Sequence, residues 1–574
     1  VRYSIVLFLI LLFLGHNYLS AQDVEKVIKA KPVKVSGGLS TDQVFYQAYG
    51  IADRRNSPYQ YFINGNINVQ LFEELSIPVS LSYSNQKFNY SQPFNQQQFN
   101  RFGISPKYRW ITAHAGWRSM TFSPYSLNGH TFLGGGIELT PGKFKIAAMY
   151  GRLLKAVDYD STKFGNLNKP SYQRMGMGVN FRYEDNGNLY GVSLFRSEDK
   201  PSSLKTSLDS LGVTPEQNLV AGVMIKQKMS SKVTFDGELS NSTITKDSRY
   251  KEQGGNEKNL GIIQTNSSTS SYMAYRAAFT YQLKKAKIGA GYERIDPGYR
   301  THGAYYFNND LENITVNFAT PLFKNKVSIA SNVGTQRNNL DKSKISTMRR
   351  WVGALNLNWK PNDKLNFGIN YSNFQTYTNM RSQFQIINST NPYQYIDTLN
   401  YIQISQSVNF NTNYIITSNQ KQQQNFNLNL TAQKATEQQG GKTLNSGSNI
   451  YNLNASYLYS IVPLNLSFNV ALNGNWNKIS GTDSKIFGPT LGVVKSFFQK
   501  KLQSNLSYSW NTTLNNNTTT GSVGSLRWLN SVTIKKKHSI MVSFIWLNRQ
   551  SKDAATGLKS FDELTGRVGY AFRF

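Results

Sequence analysis

The stretch Leu564-Thr-Gly-Arg-Val-Gly-Tyr-Ala-Phe-Arg-Phe574 decides how the rest of the chain is read. Phe574, Phe572, Tyr570, Val568, Gly566 and Leu564 fall on one parity. Arg573, Ala571, Gly569, Arg567 and Thr565 fall on the other. Successive side chains of a strand point to opposite faces, so the segment has one apolar, aromatic face and one polar, basic face. An aromatic face left exposed on a strand needs an apolar solvent. The alternative is an edge strand of a soluble sandwich.

The same alternation recurs upstream. In Leu464-Asn-Leu-Ser-Phe-Asn-Val-Ala-Leu-Asn-Gly-Asn-Trp476, Leu464, Leu466, Phe468, Val470, Leu472 and Trp476 share one face, and asparagines and small residues share the other. Leu365–Tyr371, Asn425–Leu430 and Ile540–Trp546 repeat the pattern. Many such segments run past the roughly 5–6 residues usual in soluble sheets. Lipid-out, lumen-in alternation is the pattern of a transmembrane β-barrel. The terminal strand, ending on an aromatic residue, resembles the closing strand of Gram-negative outer-membrane barrels. That resemblance implies that Leu564, Val568, Tyr570, Phe572 and Phe574 serve as the signal read by the barrel-assembly machinery.

Composition bounds the remaining classes. The chain has 574 residues, no cysteine, 17% charged and 13% aromatic residues. Without cysteine there are no disulfides and no thiolate metal sites. A mean hydropathy of −0.45 is too polar for a helical membrane bundle but suits a barrel, in which only alternate residues meet lipid. The net charge of +31 is spread along the chain with no basic arm or nucleic-acid module, so lipid and lipopolysaccharide headgroups are expected partners and nucleic acid is not.

Arg2, the apolar run Ile5–Leu14 and Leu19-Ser-Ala21 fit a signal peptide over residues 1–21, cleaved near Ala21. Residues 22–38 read as a short basic periplasmic tail and residues 39–574 as the barrel. No plug or periplasmic domain is expected. Short connections near 73–74, 141–142, 185–187, 230–231, 284–285, 324–326, 361–363, 419–420, 462–463, 499–500 and 535–537 alternate with longer polar ones. Short turns belong to the periplasmic side and long loops to the outside. Counting back from Phe574 to a strand at Tyr61–Phe72, and adding an ascending strand at Ser40–Tyr49 with loop Ile51–Tyr59, gives an up-and-down antiparallel barrel of about 26 strands, with 24–26 the favoured range and both termini periplasmic. The segment 104–122 can be one bent strand or two short ones.

Three groups of residues stand out. Lys284, Lys285, Lys287, Lys324, Lys326, Lys500, Lys501, Lys535, Lys536 and Lys537 cluster at the short turns, as a cationic rim for inner-leaflet phospholipid or as solubilising turn residues. Gly134, Gly135 and Gly136 interrupt a strand pattern, marking a bend or a wall contact. Of the histidines, His114 is expected in a strand and His130 in a loop, with no metal-ligand spacing and no Gly-x-Ser-x-Gly elbow. No catalytic, cofactor or metal residues are therefore assigned. A lumen this wide needs closing, by inward-folded loops (197–216, 244–268 and 378–399 being the candidates), by another protein, or by flattened walls.

The Tyr- and Asn-rich, Lys-turned style of Ser40–Phe574 resembles the large outer-membrane barrels of Bacteroidota. The resemblance implies a fold and a location. Three functions stay open: a conduit or scaffold within an outer-membrane transport, secretion or assembly complex, a self-contained, loop-gated diffusion channel, or a TonB-dependent-receptor-like barrel without its plug.

Overall fold

The computed structural model describes residues 32–574 except 52–55, 86–99, 160–169, 206–208, 210–211, 251–262, 264, 306–307, 344–346, 348, 374–405, 436–437, 440–441, 444–447, 480 and 553–559. The expected signal peptide and the occlusion candidate 378–399 lie outside these residues. Among them no helix is long and apolar enough to cross a membrane. The strands are β1 Val33–Tyr49, β2 Tyr59–Leu71, β3 Leu75–Ser84, β4 (Arg101–Ile104 and Lys107–Tyr108), β5 Ile111–Thr121, β6 Asn128–Leu139, β7 Phe144–Leu154, β8 Gln173–Asp185, β9 Asn188–Lys200, β10 Gln217–Lys228, β11 Val233–Thr245, β12 Thr269–Gln282 and β13 Lys287–Ile295. They continue as β14 Leu311–Leu322, β15 Val327–Arg337, β16 Arg349–Asn362, β17 Leu365–Ser372, β18 Gln406–Ser418, β19 Gln422–Ala435, β20 Ser448–Ile461, β21 Leu466–Ile479, β22 Thr482–Phe497, β23 Leu502–Asn515, β24 Thr518–Ile534, β25 His538–Ser551 and β26 Phe561–Arg573.

Each strand pairs antiparallel with the next, and β26 pairs back onto β1 from Gly38↔Arg573 to Tyr49↔Asp562. With the broken β4 counted once, this is a closed barrel of 26 strands. Closure leaves no sheet edge. The last residue takes part: Gly37 N donates to Phe574 O at 3.0 Å and Phe574 N to Gly37 O at 3.1 Å. At a strand spacing of about 4.8 Å and a tilt near 40°, a round barrel of this strand number is roughly 50 Å across its backbone.

The alternation read from sequence sorts onto two faces. Leu472, Val470, Leu491, Ile314, Val316 and Val568 point outward and remain 43–57% exposed. Water would not tolerate apolar surface running around a whole sheet, but hydrocarbon does. Aromatic residues gather toward both ends of the wall. Tyr59, Tyr61 and Tyr83 pack at 5.9–6.0 Å near one end. His538, Phe572 and Phe574 stack in sequence near the other, at 4.8 and 5.3 Å. The barrel is therefore read as membrane-spanning.

Connections differ by end. At the end carrying both described termini they are tight turns, several built on left-handed residues such as Asn186, Lys535 and Lys536. We refer to this as the turn end and to the opposite as the loop end. The structure corrects several expectations. β1 begins at Val33, inside the stretch expected to be tail, and β2 begins at Tyr59. Segment 104–122 holds the end of β4, a turn at Arg109-Trp110 and β5, and Pro106, which has no N–H to donate, lies in the β4 break. The connection between the short turns near 499–500 and 535–537, expected to be one of the longer polar ones (515–520), is a two-residue turn in which Asn516 and Asn517 both have φ near +50 to +65°, the twist-compatible hairpin geometry. His130 lies in β6 rather than in a loop.

The seam between β1 and β26 is tied on its inner face. Arg567 donates twice to Asp42 Oδ1, at 2.7 and 3.0 Å, and Tyr46 OH donates to the fully buried Glu563 at 2.6 Å. Arg567, from the polar parity of the last strand, thus faces inward.

Candidate functional site

Two connections at the loop end fold into the lumen and meet. The first, residues 122–127 between β5 and β6, reads Phe-Ser-Pro-Tyr-Ser-Leu. The second, residues 296–310 between β13 and β14, starts Asp-Pro-Gly-Tyr-Arg-Thr-His-Gly. Both carry Tyr and Pro, but so do other long connections (Tyr90, Pro93 and Phe94; Pro392 and Tyr393), so no sequence signal singles them out. Neither was a candidate for occlusion. Of the expected candidates, 197–216 supplies wall groups to the site, and in 244–268 the described Asp247, Arg249 and Asn266 form a separate cluster that also holds Asp209.

The meeting is close. Asn128 N donates to Gly303 O at 2.8 Å, Tyr299 OH to Tyr125 O at 2.8 Å, and Thr301 Oγ1 to Ser126 O at 2.9 Å. A Cβ on Gly303 would fall 2.6 Å from Ser126 O and 2.8 Å from Leu127 Cα, so only glycine fits there. Each loop also reaches the wall beneath the other. Tyr125 OH donates to Glu293 on β13 at 2.6 Å, and Tyr305 stacks on His130 of β6 with ring centroids 4.0 Å apart. The bridge therefore spans the arc from β6 to β13.

Apolar packing holds the bridge. Phe122 and Leu127 of the first loop are fully buried against Phe132, Phe195 and Val220 of the inner wall, with Met120, Met149 and Leu153 around them. Tyr125 and Tyr299 form a second cluster with Ala274, Ile295 and Leu311. Each large apolar side chain so buried contributes about 1.5–3 kcal/mol. The glycines of β6 belong to this wall. A Cβ on Gly136 would fall 3.0 Å from the Met120 sulfur, and one on Gly134 would fall 2.1 Å from Tyr150 O of β7. Gly135 has only His114 O near it, at 3.5 Å.

A polar knot fixes the second loop. His302 N donates to Asn218 Oδ1 at 3.0 Å, Ser197 Oγ bonds its Nδ1 at 2.8 Å, and Glu216 bonds its Nε2 at 3.1 Å. Glu216 also pairs with Arg300 and with Arg174, which is held bidentately by Asp199 at 2.7 and 2.8 Å. Hydroxyl, imidazole and carboxylate stand in the order of a hydrolase triad. Ser197, however, is 1% exposed inside packed wall, and the knot's evident role is to seat the loop.

Burial, with Arg174 nearby, pushes the His302 imidazole down to about 4, against the pull of Glu216. Burial alone would raise the Glu216 carboxyl, but His302, Arg300 and Arg174 outweigh it and hold it at about 2. Both folded-state values are depressed. The His302 contribution is fully present above its ordinary 6.5 and is lost as pH falls through about 4. The Glu216 contribution is present above 4.5 and is lost as pH falls through about 2. Acid therefore loosens the second loop, first through His302.

Beside the bridge lies a cavity of about 510 Å³ lined by Tyr125, Arg276, Glu293, Asn313, Asn332 and Gln336. Glu238, Arg276, Glu293, Asn313 and Gln336 are direct cross-strand neighbours from β11 to β15. Across β18–β22 the inner wall is instead neutral: Asn413 bonds Asn427, Asn475 bonds Asn452, and Asn454 bonds Asn473, at 2.5–2.6 Å.

The other residues singled out from sequence fall elsewhere. Lys284, Lys285, Lys287, Lys324, Lys326, Lys500, Lys501, Lys535, Lys536 and Lys537 are exposed, at or beside turns of the turn end. Leu564, Val568, Tyr570, Phe572 and Phe574 share the outer face of the last strand. Tyr570 OH lies 2.8 Å from His538 Nδ1. Among the described residues no group of three His, Asp or Glu side chains is placed to hold a metal.

No protein-family model matches the chain, and no curated protein matches it. Solved structures that match include a point mutant of the ferric enterobactin receptor PfeA from Pseudomonas aeruginosa, at 9% identity over 95% of this chain and 81% of that one, with a TM-score of 0.40. The translocation pore of the P pilus usher PapC matches at 10% identity over 94% and 99%, with a TM-score of 0.37. OprD from Pseudomonas aeruginosa matches at 10% over 67% and 94%, with a TM-score of 0.29. Likenesses this distant assign neither a family nor a role to this chain.

Proposed function

We propose that the protein is a transport barrel of a Gram-negative outer membrane, a conduit for polar solutes whose lumen is narrowed by its own loops. One observation carries this reading: residues 122–127 and 296–305 meet inside the lumen and are packed there against the inner wall. The polar remainder of the inner wall suits hydrated solutes. On this reading the turn end is periplasmic and the exposed lysines form a rim for anionic phospholipid. The outer-facing aromatics of β26 are the signal for the assembly machinery, and the likeness of style to Bacteroidota barrels points to the source.

A second reading, a conduit or scaffold inside a larger outer-membrane complex, is favoured by the width of the barrel, roughly 50 Å by strand count. Purification in mild detergent followed by planar-bilayer recording separates the two. The loop-narrowed conduit predicts an isolated barrel with small, steady conductance. Stoichiometric co-purifying proteins, with no conductance from the barrel alone, would replace it with the complex.

A further inference from the structure

We propose that the outer face of β19–β22 binds one anionic, phosphate-bearing lipid of the leaflet at the loop end. The inference rests on the membrane-spanning reading, not on what crosses the lumen. The cross-strand register lays this face out in rows. Leu430, Leu453, Gly474 and Phe487 form one row, and Ala432, Tyr451, Trp476 and Lys485 form the row next toward the loops. Lys434, Asn449, Lys478 and Asp483 form the row beyond.

Gly474 makes the site. A Cβ there would meet only Leu453, at 3.7 and 4.0 Å, so neither crowding nor left-handed backbone demands glycine. Its effect is a notch in the apolar wall, a groove of about 520 Å³ between Phe410, Leu430, Tyr451, Leu453, Trp476 and Phe487. Lipid chains meet this face, and a notch between large apolar side chains fits one of them. The headgroup end is set by charge. Lys434, Lys478 and Lys485 stand above the notch against the single carboxylate of Asp483 in those rows. Lys478 lies four residues along the strand from Gly474, about 13 Å at the usual rise. Lys485 is held in place: its Nζ bonds Asn517 Oδ1 at 2.6 Å, lies 3.6 Å from Asp483 and sits 5.1 Å from the Trp476 ring centroid. Trp476 Nε1 donates to Asp483 at 2.5 Å, which fixes the indole as the groove's upper wall. An anionic phosphate at the lysines with an acyl chain in the notch satisfies both parts.

The test is native mass spectrometry of the detergent-solubilised protein, with diphosphorylated lipid A or phosphatidylcholine added. Lipid A should be retained at one copy per barrel, about tenfold or more above phosphatidylcholine. Gly474→Leu should abolish that retention, and the Lys434→Gln/Lys478→Gln/Lys485→Gln variant should reduce it to the phosphatidylcholine level. Heat-modifiable gel mobility checks that each variant is folded, and the exposed lysine variant remains informative if Gly474→Leu is not. Bilayer conductance should stay unchanged in both, because the groove faces away from the lumen, so failure here leaves the conduit reading intact. Equal retention of the two lipids, or full lipid A retention by either folded variant, would overturn the proposal.

Discussion

Replacing residues 298–304 by a short Gly-Ser linker should raise single-channel conductance several-fold. The segment supplies Tyr299, Thr301, His302 and Gly303, and with them the hydrogen bonds to Tyr125 and Ser126 and the seat on Asn218. The first loop then loses its partner, while Tyr125 keeps its bond to Glu293. The barrel itself should survive, because its strands pair around the full circle without either loop. Loss of Tyr299 wets its neighbours Ile295 and Leu311, at about 1.5–3 kcal/mol each at most, a loss of stability and not of topology. Planar-bilayer recording measures the gain. An unchanged conductance with an intact barrel would mean that the bridge does not limit the path.

Arg567→Met should destabilise the barrel by about 3–5 kcal/mol, because it strands the Asp42 carboxylate on the buried inner face of the seam. The double variant Asp42→Asn/Arg567→Met removes both charges and should recover most of that loss. The pair joins β1 to β26, so its failure should open the barrel where closure depends on the ends of the chain. Urea titration followed by heat-modifiable mobility gives the ordering: native most stable, double variant next, single variant least. A single variant as stable as the native protein would show that the seam does not depend on this pair.

Much of the wall was legible in the sequence because period-two alternation is a local signal. Leu564–Phe574 identified the lipid face, and counting back from it reached the observed strand number. Some differences in segment bounds were local as well. Turn chemistry hid in Asn516-Asn517, where two asparagines adopt left-handed conformations that a longer polar loop would not need. Strand β1 began early because Val33–Gly38 pairs with residues of β2, a partner that periodicity within one segment cannot reveal. The lumen bridge was hidden for a deeper reason. Tyr125 meets Tyr299, and Ser197 meets His302, across more than a hundred residues, so their contact follows from barrel closure and not from any motif. His302 looked unremarkable in sequence because its partners Ser197, Glu216 and Asn218 come from other strands and connections. Within the triple glycine, Gly136 lies beside the Met120 sulfur, a contact that strand periodicity does not reveal.

The absence of cysteine makes one measurement direct. Ser126→Cys/Thr301→Cys places a single thiol pair where Thr301 Oγ1 already bonds Ser126 O at 2.9 Å. Conductance is recorded from pH 7 to pH 4, oxidised and then reduced. The loop bridge predicts that the oxidised barrel stays at small conductance throughout, and that the reduced barrel opens progressively as pH falls from about 6.5 toward 4, where the seated His302 gains its proton. Acid opening of the cross-linked, oxidised barrel as full as that of the reduced one would contradict a lumen narrowed by these two loops.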